Sequence, residues 1–334
     1  MNNKSILITG GTGSFGKKFI STVLKQYKPK RLIIYSRDEQ KQFNLQKQFP
    51  EGKNSPLRYF LGDVRDYERI NYALKDVDIV VHAAALKHVP IAEYNPFEVI
   101  KTNVMGAQNI IQACLNNNVK KVIALSTDKA CSPINLYGAT KLASDKLFVA
   151  ANNYKGKLST IFSVVRYGNV MGSRGSVIPY LQSRKESPSI GITDLNMTRF
   201  NITLDEGVKF VLKCFNIMWG GEIFIPKIPS YKIGDLAKAI CSKSKIKIIG
   251  IRPGEKISEE MVSEHDSINT IESKDYFIIT PNLKFRDFKI EYLKKNKNTK
   301  LCKKNFSYNS KENSKFLSVN EIKNLIKKNQ KDFD

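Results

Sequence analysis

Residues 4–27 read KSILITGGTGSFGKKFISTVLKQY. Ser5–Thr9 form a short apolar run, the pattern of a strand buried on both faces. Gly10-Gly11-Thr12-Gly13-Ser14-Phe15-Gly16 follow at once, and a helix follows them. Glycines between a strand and a helix let the backbone turn tightly and approach a pyrophosphate, whose charge rests on the helix N-terminus. A G-x-G-x-x-G spacing alone is weak evidence. Here the strand before it and the helix after it supply the context that the reading requires.

The rest of the first half repeats the alternation. RLIIYS (31–36), LRYFLGD (57–63), VDIVVHAAA (77–85) and KKVIALS (120–126) read as four more strands, separated by amphipathic stretches at 38–49, 66–75 and 95–117. Strands alternating with helices predict an α/β fold, a Rossmann-type doubly wound parallel sheet covered on both faces. After Arg166 the connections lengthen and become rich in Gly, Arg and Pro, in YGNVMGSRGSVIPYL (167–181) and IRPGEKISEEM (251–261). These loops are expected to build a smaller C-terminal substrate-binding lobe. The expected division is 1–166 with 203–225 for the dinucleotide domain and 167–202 with 226–280 for the lobe. Residues 281–334 are expected to be a basic extension without assigned function, in which 294–314 is a mobile connection to a helix near 318–328.

Composition limits the alternatives. The 334 residues are 41% hydrophobic, enough for a sizeable core. The net charge is +24, but residues 281–334 carry +9 and the remainder carries +15, so the charge is spread and reads as a solvated lysine-rich surface without a nucleic-acid partner. The five cysteines are scattered, with no CxxC pair and no Cys/His cluster; no disulfide framework and no metal are expected, and a reducing cytoplasm fits. His82, His88 and His265 stand apart and read as structural. No run approaches a membrane span, and a first strand at Ser5 leaves no room for a leader.

Within the nucleotide domain, Gly10, Thr12, Gly13, Ser14, Phe15 and Gly16 are the expected pyrophosphate cradle. The second strand ends in Ser36 and Arg37, which suit a ribose 2′-phosphate and favour NADP over NAD. The alternative is Arg37 as a surface cation, with Asp38 or Glu39 on the ribose. Asp63 and Val64 are expected near the adenine. Ala83, Ala84 and Ala85 allow close approach of the cofactor, with Lys87 beside them.

One stretch carries chemistry: ALSTDKACSPINLYGATKLASDKLF (124–148). Tyr137 and Lys141 are four apart on a predicted helix and share a face. A neighbouring ammonium is expected to lower the phenol's pKa, so that the phenolate takes a proton from a substrate hydroxyl as hydride leaves the same carbon. Lys141 is also expected to bind the cofactor ribose, and Thr127 to hold the same hydroxyl.

The glycine turn, the YxxxK pair and Thr127 resemble the extended short-chain dehydrogenase/reductase family. Within it, STDKACSPINLYGATKLASDKLF, AAALKHVPIAEYNP, RYGNVMGSRGSVIP, MTRF and IRPGEK resemble the inverting UDP-N-acetylglucosamine 4,6-dehydratases, from about residue 4 to 280. Those enzymes open pseudaminic acid synthesis for flagellin glycosylation. The resemblance implies oxidation at C4, loss of water across C5–C6 and hydride return to C6, giving UDP-2-acetamido-2,6-dideoxy-β-L-arabino-hex-4-ulose. It implies Asp128 as the acid to the C6 oxygen and Lys129 as the C5 base, with Lys141 and oxidised nicotinamide expected to depress the Lys129 pKa. Lys87, Tyr167, Asn169, Val177, Arg199, Arg252 and Glu255 are the implied substrate contacts, and a homo-oligomer, as large as a hexamer, is implied. Ser258 and Asn201 depart from the family's usual His and aromatic. The alternative reading is a retaining 4,6-dehydratase or a C4-epimerase acting on a UDP-sugar; a fold-sharing NADP- or RNA-binding protein is a third.

Overall fold

The structure, a computed structural model, describes residues 1–173, 175–282 and 287–333. The strands β1 (Ser5–Thr9), β2 (Arg31–Ser36), β3 (Leu57–Leu61), β4 (Ile79–His82), β5 (Lys121–Thr127) and β6 (Ile161–Tyr167) form a parallel sheet in the order 3-2-1-4-5-6. Leu7 of β1 lies between Ile33 of β2 and Val80 of β4, and all three are buried. The helices between them are α1 (Ser14–Gln26), α2 (Glu39–Gln48), α3 (Tyr67–Ala73), α4 (Val89–Tyr94), α5 (Pro96–Ile100), α6 (Gly106–Asn116) and α7 (Leu136–Tyr154). The order reverses between β1 and β4, and a crevice opens there at the carboxyl ends of the strands, where ligands of such sheets bind.

The sheet does not stop at the expected domain boundary. Strand Ile223–Pro226 pairs parallel with β6, Tyr276–Ile279 pairs antiparallel with it, and Thr270–Glu272 and Lys300–Leu301 complete ten strands. Residues 270–279, expected in the lobe, therefore belong to the main sheet. The smaller lobe has its own core, with Met171, Ile178, Leu181, Ile192, Leu236 and Ile240 buried together. Its strands Thr198–Ile202 and Ser230–Lys232 pair antiparallel.

The chain after 281 is likewise integral. Tyr308 is buried with its ring 4.9 Å from Phe200 and 5.0 Å from Phe277. Ser310 donates its N–H to Glu259 O (2.7 Å), and its hydroxyl receives the Glu259 N–H (2.9 Å). Strand Tyr308–Asn309 pairs with Glu260–Val262, so the expected mobile connection is in part a paired strand. Helix Val319–Lys328 starts in a capping box, Ser318 with Glu321, and buries Ile322. A few buried side chains among many exposed lysines anchor this segment, and the lysines mask them in the sequence. Among the described residues no helix is long and apolar enough to cross a membrane.

Candidate active site

A cavity of about 660 Å³ runs along the carboxyl ends of the strands. Its wall holds all the expected cofactor residues, from Gly10 through Ala85 to Lys87, and continues through Thr127, Lys129, Tyr137 and Lys141 to Tyr167 and Asn169. One cavity thus unites the glycine turn with the catalytic stretch.

The turn is built for close approach. Gly10 has φ +66°, and a Cβ there would lie 2.9 Å from Ala84 N. A Cβ on Gly16 would lie 2.3 Å from Gly11 O, so only glycine lets α1 pack on the turn. Gly13 caps α1 without a side chain, and the first turn carries no acid, which leaves the helix N-terminus suited to a diphosphate. The facing loop is pinned by β1: Thr9 Oγ1 accepts the N–H groups of Ala83 (3.1 Å) and Ala84 (3.2 Å) and sits 2.9 Å from His82 Nδ1. Burial, aided by Lys141, lowers the His82 pKa to about 3, so the imidazole is neutral; the two N–H groups occupy both lone pairs of Thr9 Oγ1, which leaves its hydrogen for Nδ1. These residues fit a dinucleotide.

At the far end of the cavity lie Ser36, Arg37, Asp38 and Lys41. Asp38 caps α2, accepting from Lys41 N–H (2.9 Å) and from the Lys41 ammonium. Arg37 lies 3.5 Å from Asp63, which also binds Arg65 at 2.8 Å. Burial pushes the Asp63 carboxyl up, but Arg65 and Arg37 outweigh it and hold the pKa below the usual range.

Further along, β5 finishes in Thr127, and a single helical turn, Asp128–Ala130, carries Asp128 and Lys129. Thr127 Oγ1 donates to Asp128 Oδ1 (3.0 Å) and accepts the Lys129 N–H (3.3 Å). Lys129 Nζ lies 3.1 Å from Asp128 Oδ1 and 3.0 Å from Glu259 Oε1. Asp128 is wholly buried, and its Oδ2 has no partner. Burial raises its pKa against the pull of Lys129.

Two expectations about charge are corrected here. Burial lowers the Lys129 pKa, but Asp128 and Glu259 outweigh it and hold the ammonium above its usual value. Lys141 is not the neighbour that matters to it. Nor is the phenol lowered: burial pushes Tyr137 up to about 12, although Lys129 and a hydrogen bond with Thr127 oppose this. The Lys141 ammonium donates to Leu125 O (2.7 Å), and burial lowers its own pKa. Beneath it, Asp145 accepts from Ser126 Oγ (2.7 Å) and Arg166 (3.2 Å), an ion pair with almost no exposure. Tyr137, Lys141 and Asp145 are successive members of one i, i+4 row of α7.

Four expected substrate contacts lie off the cavity wall: Val177, Arg199, Arg252 and Glu255. Arg199 is buried and donates to the carbonyls of Thr198 (2.7 Å), Lys256 (2.9 Å) and Ile257 (3.2 Å), with Nε 3.8 Å from Glu259. Backbone carbonyls have taken the donors that a diphosphate would need. Arg252 and Glu255 pair with each other at the surface. Asn201 is buried with its Oδ1 unpartnered.

Glu259 and Lys41 are the functional candidates that motif reading missed. Glu259 stands in the same IRPGEKISEEM stretch, but no spacing rule joins it to Lys129. Lys41 was legible in principle, one helical turn after Asp38. A π-helical segment, Lys101–Met105, is a third such feature. Its Asn103 clamps Leu86 through both backbone groups (2.8 and 2.9 Å) and reaches Thr140 (3.1 Å), tying the Lys87 loop to α7.

Fold and site together define an enzyme of the short-chain dehydrogenase/reductase type, with a dinucleotide crevice and a Tyr-Lys pair on its wall. Residues 6–281 match the family described as polysaccharide biosynthesis protein, and the chain belongs to that family. It is similar to the UDP-N-acetylglucosamine 4,6-dehydratase (inverting) of Campylobacter jejuni, 57% identical over 97% of this chain and 98% of the relative. It is also similar to the UDP-glucose 4-epimerase of Rickettsia massiliae, 40% identical over 97% of this chain and 95% of the relative. Among solved structures, Pen from Bacillus thuringiensis superposes with a TM-score of 0.88 at 41% identity, covering 98% of both chains.

Proposed function

We propose that this protein is an inverting UDP-N-acetylglucosamine 4,6-dehydratase that uses NADP. The observation that carries the reading is the 3.1 Å contact between the buried Asp128 and the part-exposed Lys129, whose side chain lines the cavity with Tyr137. Gly10–Gly16, Ser36, Arg37, Asp63, Val64 and Ala83–Ala85 would hold the dinucleotide, with Lys87 and Lys141 at its nicotinamide end. Bound NADP would supply the oxidant at C4 and the hydride later returned to C6.

Tyr137 takes the C4 hydroxyl proton as the phenolate, a form that the Lys129 charge and a bound oxidised nicotinamide would favour against the burial that raises the phenol, with Thr127 holding the same hydroxyl. The ketone formed at C4 acidifies the C5 proton. Lys129 and Asp128 share one proton across their 3.1 Å contact. Moving it from Nζ to the carboxylate produces a neutral amine and a carboxylic acid, the two forms that elimination needs. Lys129 then takes the C5 proton while Asp128 protonates the departing C6 oxygen, and the pair returns to its charged form. If Lys129 returns a proton to C5 from the opposite face, which requires the sugar to turn in the site, the product is inverted, and the proton that Tyr137 took from the C4 hydroxyl then restores the Lys129–Asp128 pair. Lys87, Tyr167 and Asn169 hold the sugar from the far wall. A C4-epimerase, the name carried by the Rickettsia relative, needs neither an acid for C6 nor a base for C5. By resemblance the product enters pseudaminic acid synthesis for flagellin glycosylation in the cytoplasm, and the enzyme works as a homo-oligomer.

The test is proton NMR of UDP-N-acetylglucosamine incubated with the enzyme in heavy water. A 4-keto-6-deoxy product with deuterium at C5 and L-arabino couplings is expected. D-xylo couplings from the start would overturn the inverting role of Lys129, and a product epimerised only at C4 would overturn the dehydratase. Lys129→Ala should abolish C5 exchange; unchanged exchange removes Lys129 from the mechanism.

A further inference from the structure

Residues 131–135 join the Asp128–Ala130 turn to the Tyr137 end of α7. The two parts press together: a Cβ on Gly138 would collide with Lys129 O, and Lys129 and Tyr137 line one cavity. How the Asp128–Lys129 pair faces the phenol therefore depends on the shape of this link. Within it Ser132 has φ +45°, in the left-handed region that serine seldom occupies.

One distant stretch holds the link in place. Lys256 Nζ donates to Cys131 O (2.9 Å). Asn135, which caps α7 by accepting the Gly138 N–H (2.8 Å), donates to Gly254 O (2.8 Å). At Ser132 itself the holder is Glu260. Its Oε2 accepts from Ser132 Oγ (3.0 Å) and Cys131 Sγ (3.6 Å), and its Oε1 accepts from Ser307 Oγ (2.7 Å). Strand pairing of Glu260 with Asn309 fixes the backbone beneath. The carboxylate is thus anchored at both oxygens and at its main chain, and it meets Ser132 already oriented, which favours the contact although Ser132 is exposed. Neither Glu260 nor Ser132 lies on the cavity wall, so any effect on the reaction runs through the turn.

We propose that Glu260 is a positioning residue for the elimination: it holds Ser132 in its left-handed conformation and thereby seats Asp128 and Lys129 against Tyr137. The inference rests on the dehydratase reading, in which these three side chains move protons and a misplacement of about 1 Å can cost about 100-fold in rate. A merely structural tie between 131–135 and strand Glu260–Val262 would lower stability and leave turnover at occupied sites alone.

The experiment measures kcat per bound dinucleotide and KM for UDP-N-acetylglucosamine. Ser132→Ala and Glu260→Ala should each lower kcat about 5- to 10-fold with KM within about 2-fold, and the double variant should fall no further than either alone. Glycine adopts a positive φ freely, so Ser132→Gly in the Glu260→Ala background should regain about 3-fold or more. Ser132→Val in that background resists the conformation and should fall a further 10-fold or so, roughly the strain of a left-handed β-branched residue. An unchanged kcat, whether KM or only the unfolding temperature moves, overturns the inference, and so do equal rates with glycine and valine. Should Glu260→Ala not fold, Ser132→Gly and Ser132→Val in the otherwise native chain decide by the same comparison. Wild type that leaves the sugar unchanged overturns the dehydratase reading and the inference with it; an active wild type with unmoved variants overturns the inference alone.

Discussion

Replacing Glu259 by Gln removes one negative charge 3.0 Å from the Lys129 ammonium while keeping the shape of the side chain. At an effective dielectric of about 20, two unit charges at that distance attract by roughly 5 kcal/mol. That is the gross term, and the net is smaller. Asp128 stays 3.1 Å from the same ammonium, Arg199 already draws on the same carboxylate at 3.8 Å, and the Lys129 side chain is 24% exposed to screening water. A hydrogen bond to a charged group contributes about 1.5–3 kcal/mol net, and that smaller figure governs here. At about 1.4 kcal/mol per pH unit, the Lys129 pKa should fall by about 1–2 units. The sign follows directly. Glu259 raises the lysine's pKa, so its removal lowers it, and the neutral base appears at lower pH. Lys87, Tyr137 and Arg199 also face Lys129 and are unchanged in the variant. The assay is the rate of deuterium entry at C5 as a function of pD. Its rising limb should move about 1–2 units towards acid relative to wild type. A limb that stays in place, or moves towards alkali, would refute the assignment of Lys129 as a base tuned by Glu259.

Asp145→Asn should lower stability by about 3–5 kcal/mol, because it leaves the buried Arg166 guanidinium without its counter-charge. Denaturant unfolding reads this, and Asp145→Leu with Arg166→Met should recover most of the loss. Gly16→Ala places a methyl 2.3 Å from Gly11 O and should release bound dinucleotide while far-ultraviolet circular dichroism stays native. Thr9→Val takes the acceptor from the N–H groups of Ala83 and Ala84 and should cost about 1–3 kcal/mol in thermal or denaturant unfolding, with Thr9→Ser restoring it.

Local features were legible because local rules govern them. The strand from Ser5, the glycine turn and the helix after it follow from hydrophobic run length, from backbone freedom at Gly10 and from the lack of a side chain at Gly16. The Tyr137–Lys141 row follows from the helical period. What escaped is non-local. Glu259 meets Lys129 only because two distant loops converge, and its charge reverses the protonation that the amines alone suggested. The phenol of Tyr137 was misjudged for a related reason, since burial is a property of the packed site. Arg199 reads as a diphosphate ligand until the carbonyls of Lys256 and Ile257 are seen to occupy it. The tail hides its few anchors, Tyr308 and Ile322, in a lysine-rich text.

The bridge from Ser310 to Glu259 bears on where the working unit ends. The family match closes at residue 281, and Glu259 is clasped front and back by a serine 29 positions beyond it. A version of this protein trimmed to the matched span would keep every motif residue and still lose the clasp that holds the lysine's counter-charge, together with the edge strand at Lys300–Leu301. Chimeras that exchange carboxyl-terminal segments between relatives would therefore exchange a support of the charge network around Lys129, and not merely a tail.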